Sequence, residues 1–194
     1  NFLHSRRQLS LEAMDKVLAA QHLAFADLFP ARGDSPAAAP SAESSEIPLV
    51  AHETALCARI VRPSAVQSFV HVPAEALVSL RMRATTARRV WQRFVAVHTS
   101  AADARAMDPL LLPGSICVLD RHYVSPRAYH LNRPTLFALG IGAQLTFRYT
   151  EFLSSRLILR PHNTAFPLQV LVIEEGDLPD RFIAGRVVYI FSPA

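Results

Sequence analysis

Between residues 56 and 191 the chain repeats one device: short apolar runs of alternating character, each closed by a proline, a glycine or a polar turn. Period two puts successive side chains on opposite faces of a strand, so this spacing predicts a β-dominated domain. Strands are expected at 56–61, 68–72, 93–98, 115–120, 135–141, 144–150, 156–160, 168–173 and 182–191. Only 74–83 and 85–92 offer helical alternatives. The expected architecture is a mainly β domain of several curved, partly barrel-like sheets. With 51% hydrophobic residues in 194, the chain carries enough apolar material for one sizeable core.

Segment 31–48, ARGDSPAAAPSAESSEIP, is built from Ala, Pro, Ser and Glu with no large apolar residue before Ile47. It buries too little to fix itself and is expected to be a flexible linker. Ahead of it, Ser10 suits a helix N-cap, Glu12 sits in the first turn, and Leu11, Met14, Val17 and Leu18 recur at helical spacing. A second short helix over 25–29 stops at Pro30. Two helices in 1–30 are too little to fold alone, and the chain begins with Asn, so this piece is expected to be the end of a larger helical unit. The expected division is therefore 1–30 helical, 31–48 linker and 49–194 β domain.

Charge constrains the chemistry. Of the 20 basic residues only Lys16 is lysine; the other 19 are arginine. A mechanism that needs a neutral lysine as base must use Lys16 or be absent. The net +4 divides as zero over 1–30, −2 over 31–48 and +6 over 49–194. No apolar run approaches the roughly 18 residues that span a bilayer, and no signal peptide is expected from the opening residues. A cytoplasmic protein with no membrane partner is expected. Cys57 and Cys117 lie in apolar surroundings and are expected to be buried thiols. The eight histidines (4, 22, 52, 71, 98, 122, 130 and 162) never take a metal-ligand spacing, and no glycine-rich phosphate loop occurs, so neither metal nor cofactor is expected.

Four stretches carry a more specific signal: AMDPLLLPGSICVLDRHYV, TLFALGIGAQLTFRYTEF, RLILRPHNTAFPLQVLVI and FIAGRVVYIF. Their order resembles the C-terminal domain of LexA and CI-type phage repressors, a LexA/signal-peptidase-like curved β fold. Met107, Pro109 and Gly114 stand where that family has its Ser-Met turn and loop, followed by the strand to Asp120. Leu159, Pro161 and Asn163 match the L-x-P-x-N strand, and Gly185 and Val187 match the closing G-x-V strand. The resemblance covers about 85 residues and extends more loosely back to residue 49.

The resemblance implies self-cleavage by a serine that a buried neutral lysine activates, and here the chain departs from it. The serine position is Ala106. The lysine position, in LTFRY, is Arg148, whose guanidinium does not deprotonate near neutral pH. The family's Ala-Gly or Cys-Gly scissile bond is missing upstream: Gly33 follows Arg32, and Ala184–Gly185 lies in the closing strand. A pseudopeptidase with no catalytic residue is therefore expected. Ser100 and Ser115 are the hydroxyls that a shifted alignment would recruit.

SLEAMDKVLAAQHLAFADLF resembles the last two helices of an XRE/CI-type helix-turn-helix domain, whose recognition helix would precede Asn1. Arg6 and Arg7 are then candidate phosphate contacts. The run Arg81, Arg83, Arg88, Arg89 and Arg93 around Trp91 has a nucleic-acid flavour, yet is expected to be a solvated face over a buried Trp91, with an arginine or two paired to acids. Asp120-Arg121-His122 is expected to be an ion pair capping a turn.

Together these readings predict a DNA-binding transcriptional repressor. Its full-length N-terminal domain would hold a double-stranded operator, and its β domain would form a homodimer and carry regulation without self-cleavage. The closing strand, with Arg186, Val187, Val188, Tyr189, Ile190 and Phe191, is the expected self-pairing edge. An antirepressor protein, a regulatory protease cutting the linker, or a ligand in the dead groove would relieve repression. Two rivals are an active LexA-like serine peptidase with a displaced nucleophile, and an interaction module that does not bind DNA.

Overall fold

The computed structural model describes residues 44–126, 128–132, 134–142 and 144–193. The helices expected in 1–30, with Arg6, Arg7, Lys16 and Gly33, lie outside the described residues. Where the chain is described it forms a single mixed sheet of nine strands: β1 Ser44–Val50, β2 Val66–Pro73, β3 Phe94–His98, β4 Ile116–Asp120, β5 Leu136–Ile141, β6 Gln144–Leu153, β7 Arg156–Arg160, β8 Gln169–Val172 and β9 Ile183–Phe191. Their order across the sheet is β2-β1-β3-β4-β9-β5-β6-β7-β8. The expectation of several sheets gives way to one continuous sheet. Its ladders are antiparallel except between β1 and β3.

Period two explains the core. In β3, Val95 and Val97 join one apolar cluster while Ala96, between them, joins another; in β4, Cys117 and Leu119 part from Val118 in the same way. Both faces of these strands are buried, which is why they read as near-continuous apolar runs. On the far half, Leu136 and Ala138 of β5 serve the first cluster, while Phe137 and Leu139 face a third with Leu157 and Leu159 of β7.

Three short helices cover the sheet: α1 His52–Cys57, α2 Ala74–Val78 and α3 Ala101–Met107. α1 corrects the strand expected at 56–61. His-Glu-Thr-Ala-Leu-Cys buries one flank, Ala55 with Leu56 against it, so helical spacing overrides the short alternation. Residues 58–61 then run as loop, Arg59 O accepting from Gln92 N–H at 2.7 Å. Of the helical alternatives at 74–83 and 85–92, the first holds the short helix α2 and the second a single 3-10 turn, Thr86–Val90.

The end of the expected linker is also corrected. Residues 44–48 belong to β1, paired with β2 from Ser44↔Pro73 onward, and Ile47 and Pro48 are buried. The ladder to β2 holds it, and Ile47 joins Leu49 in the apolar cluster beneath.

Candidate functional site

Helix α3 carries no alternation and was missed in the sequence. Its signal was the capping pattern Ser100-x-x-Asp103. The Ser100 hydroxyl accepts from Asp103 N–H at 3.0 Å and donates to Asp103 Oδ2 at 2.7 Å, fixing the first turn. Ala104, Ala106 and Met107 are then buried, and Arg105 is exposed.

Asp103, one turn before Ala106, reaches across to β6. Arg148 Nη1 donates to Asp103 Oδ1 at 3.0 Å and to Phe147 O at 2.6 Å, and Phe147 N–H also donates to Asp103 Oδ1, at 3.3 Å. So the two positions singled out in the sequence, Ala106 and Arg148, fall on packed elements and share one carboxylate neighbourhood. Ala106 offers a methyl group, and Arg148 is a buried cation held by an acid. Of these two side chains, neither is a nucleophile and neither accepts a proton near neutral pH.

The two alternative hydroxyls are occupied structurally. Ser100 caps α3. Ser115 is fully buried, its Oγ accepting from Leu112 N–H at 3.0 Å. The chain's one lysine, Lys16, lies outside the described residues.

The Leu159–Pro161–Asn163 motif closes the other end of α3. Asn163 N–H donates to Ala106 O at 3.0 Å and Asn163 Nδ2 to Arg105 O at 3.2 Å, satisfying carbonyls that a helix end leaves open. Beside it, Tyr149 Oη and His162 Nδ1 are 2.7 Å apart. Burial, with Tyr129 nearby, pushes the Tyr149 phenol up. Nothing in the sequence joined these two residues; the register Tyr149↔Arg160 between β6 and β7 does so.

The expected edge strand is corrected. β9 lies inside the sheet, with β4 along Arg186–Phe191 and β5 along Ile183–Arg186. Among the described residues, only past Arg186 does its β5 side lack a ladder partner. A groove of about 550 Å³ runs there, lined by Leu110, Leu136, Tyr149 and residues 186–190. Arg186 through Phe191 are half-buried.

Other expectations change in detail. Cys117 is buried, and its thiol is pushed up to about 12, mainly by burial and further by the Asp103 charge; Cys57 is exposed, against expectation. Asp120 does not pair with its neighbour Arg121. It accepts from Arg93 at 3.1 Å through both carboxylate oxygens, from Arg186 at 3.3 Å, and from His122 N–H at 3.1 Å. In the arginine run, Arg81, Arg83 and Arg89 are exposed, while Arg88 and Trp91 are half-buried, so the tryptophan is less covered than expected. Among the described residues no three His, Cys, Asp or Glu side chains gather as a metal would need, and no helix is long and apolar enough to cross a membrane.

A scan against protein-family models matches none of them, and no curated protein matches the chain.

Proposed function

We propose that the chain is the regulatory part of a DNA-binding transcriptional repressor of the LexA/CI type, with a β domain that pairs two copies and has lost self-cleavage. The observation that supports the second half is the contact of α3 with β6, where Asp103, one turn before Ala106, holds Arg148; the resemblance gives Ala106 the nucleophile position and Arg148 the base position. The order of motifs from Met107 to Val187 supports the family reading. The half-open side of β9 supports pairing: its ladder to β5 stops at Arg186, and a groove runs beside residues 186–190. Two joined copies would bring two DNA-binding heads to two half-sites, and avidity would follow from their effective concentration.

One preparation tests both parts. Sedimentation at micromolar concentration is expected to give a dimer, and incubation at alkaline pH is expected to leave the chain intact by mass spectrometry. A monomer overturns the pairing. A discrete cut before residue 106, or a fluorophosphonate label on Ser100 or Ser115, overturns the loss of peptidase chemistry. Ala106→Ser is expected to remain unlabelled, because Arg148 does not take up its proton.

A further inference from the structure

Three loops meet at the end of the sheet where β3 begins and β4 stops. Arg59 O accepts from Gln92 N–H at 2.7 Å, and Gln92 Oε1 accepts from Val61 N–H at 3.0 Å. These bonds fasten the loop after α1 to the residues that lead into β3. His122 Nε2 lies 2.8 Å from Trp91 O, and His122 O accepts from Arg83 N–H at 2.8 Å. The loop after α2 is thereby brought to the same place.

Each of the three loops presents the same combination at its surface. Arg59 stands beside Ile60, Arg81 and Arg83 flank Met82, and Arg89 precedes Val90. All four arginines are exposed, and Ile60, Met82 and Val90 are 69%, 61% and 64% exposed. One such apolar side chain on a surface is ordinary; three on adjoining loops, each with an arginine next to it, form a patch. Arg59, Arg81 and Arg89 make no ion pair among the described residues, and Arg83 lies over the Tyr123 ring. From residue 58 to residue 93 the chain has seven arginines and one acid, Glu75. The loop before β9 borders the patch at Thr85, Ala87 and Arg88. It carries Glu174, Glu175, Asp177 and Asp180, of which Asp177 is held by Arg181.

We propose that this end of the β domain docks on an anionic lipid bilayer, Ile60, Met82 and Val90 entering the boundary between headgroups and acyl chains. Interfacial binding of this kind adds buried apolar area to attraction for anionic lipid, and the patch offers both. A guanidinium fork takes a lipid phosphate in bidentate fashion, and its long stem lets the charge stay among the headgroups while the apolar neighbour goes deeper. A nucleic acid would take the arginines, but its phosphate backbone offers nothing to three protruding apolar side chains. A protein partner would need a pocket for each of them, whereas a bilayer asks only that they reach a common level. Such docking needs no spanning helix, and it goes against the expectation of a chain with no membrane partner. The patch does not rest on the repressor reading.

The full chain is co-sedimented with vesicles of phosphatidylcholine alone, and with vesicles in which half of it is replaced by phosphatidylglycerol. Binding is expected to the mixed vesicles only, and to weaken as salt rises. Trp91, the single tryptophan, follows Val90 directly, so its emission should shift to the blue on binding. Arg59→Gln with Arg89→Gln is expected to weaken partitioning about tenfold or more. Ile60→Ser with Val90→Ser should weaken it comparably, although the charge is unchanged. All four positions are exposed, so both variants are expected to keep the wild-type melting temperature. Glu174→Gln with Glu175→Gln should strengthen binding by removing charge that repels the lipid. No binding to the mixed vesicles, or equal binding by wild type and either of the first two variants, overturns the proposal. A short DNA duplex that displaces the vesicles and binds the Ile60→Ser, Val90→Ser variant as well as wild type overturns it too, and assigns the arginines to nucleic acid.

Discussion

The Arg148 side chain is about one-tenth exposed and that of Asp103 slightly less, with 3.0 Å between them. At that burial each partner depends on the other: removing one strands a charge, whereas removing both removes the problem. Asp103→Ala is expected to lower unfolding free energy by about 3–5 kcal/mol in urea titrations. Asp103→Ala combined with Arg148→Met should recover most of that loss. Equal losses in both would show that Asp103 acts through its bonds to Ser100 and Phe147 instead. Cys117 adds a titration that the same fold makes visible. Its thiol is raised in the folded state, so between about 9 and 12 the folded chain holds a proton that the unfolded chain has released. Stability contributed by the neutral thiol is complete below that window and falls as pH rises through it. The stability difference between wild type and Cys117→Ala should therefore shrink across the window, by at most about 1.4 kcal/mol per pH unit. A constant difference would mean that Cys117 does not titrate differently on unfolding.

At the scale of elements, Gly185 shows why a motif can be read without its reason. A Cβ placed there would meet Asp120 O at 2.8 Å and Arg121 Cα at 3.2 Å, all backbone, where β4 and β9 run together. Gly185→Ala is expected to cost about 1–3 kcal/mol, read as a lowered melting temperature, because neither strand can give way alone. The sequence pattern G-x-V marked the residue; only the ladder says what it makes room for. Strands were legible because β3, β4 and β5 are short continuous apolar runs bounded by turn residues while β7 alternates, and most boundaries fall within two residues. α1 and α3 were not legible as helices: with six and seven residues they have too few turns for a helical stripe to stand out. Ala106 and Arg148 were singled out by motif order alone, and the structure adds that both are buried, on α3 and β6. Asp103 was not singled out, because its role depends on a helix that period-two reading does not detect. The stacking of Arg88 and Arg121 on Trp91, 4.0 and 4.4 Å from the ring centroid, was hidden for a similar reason: Arg121 lies thirty residues downstream of the tryptophan, and only the fold brings it there.

Among the described residues, one open sheet leaves two outer strands, β2 and β8. β8 is the more apolar: Val170 and Val172 are exposed, and Leu168 just before them is exposed as well. Such an edge is a template for unwanted pairing. Val172→Lys is expected to reduce heat-induced turbidity while moving stability by no more than about 0.5 kcal/mol, checked by light scattering beside a melting curve. Unchanged turbidity would place aggregation elsewhere. The position of β9 has a different consequence. It is made after every other strand, yet it is the joint between β4 and β5, so until it emerges from the ribosome the earlier strands are two separate halves with bare facing edges. Synthesis thus holds the sheet open until β9 is made, and chaperone protection of nascent chains matters most over the interval before residues 183–191 are released.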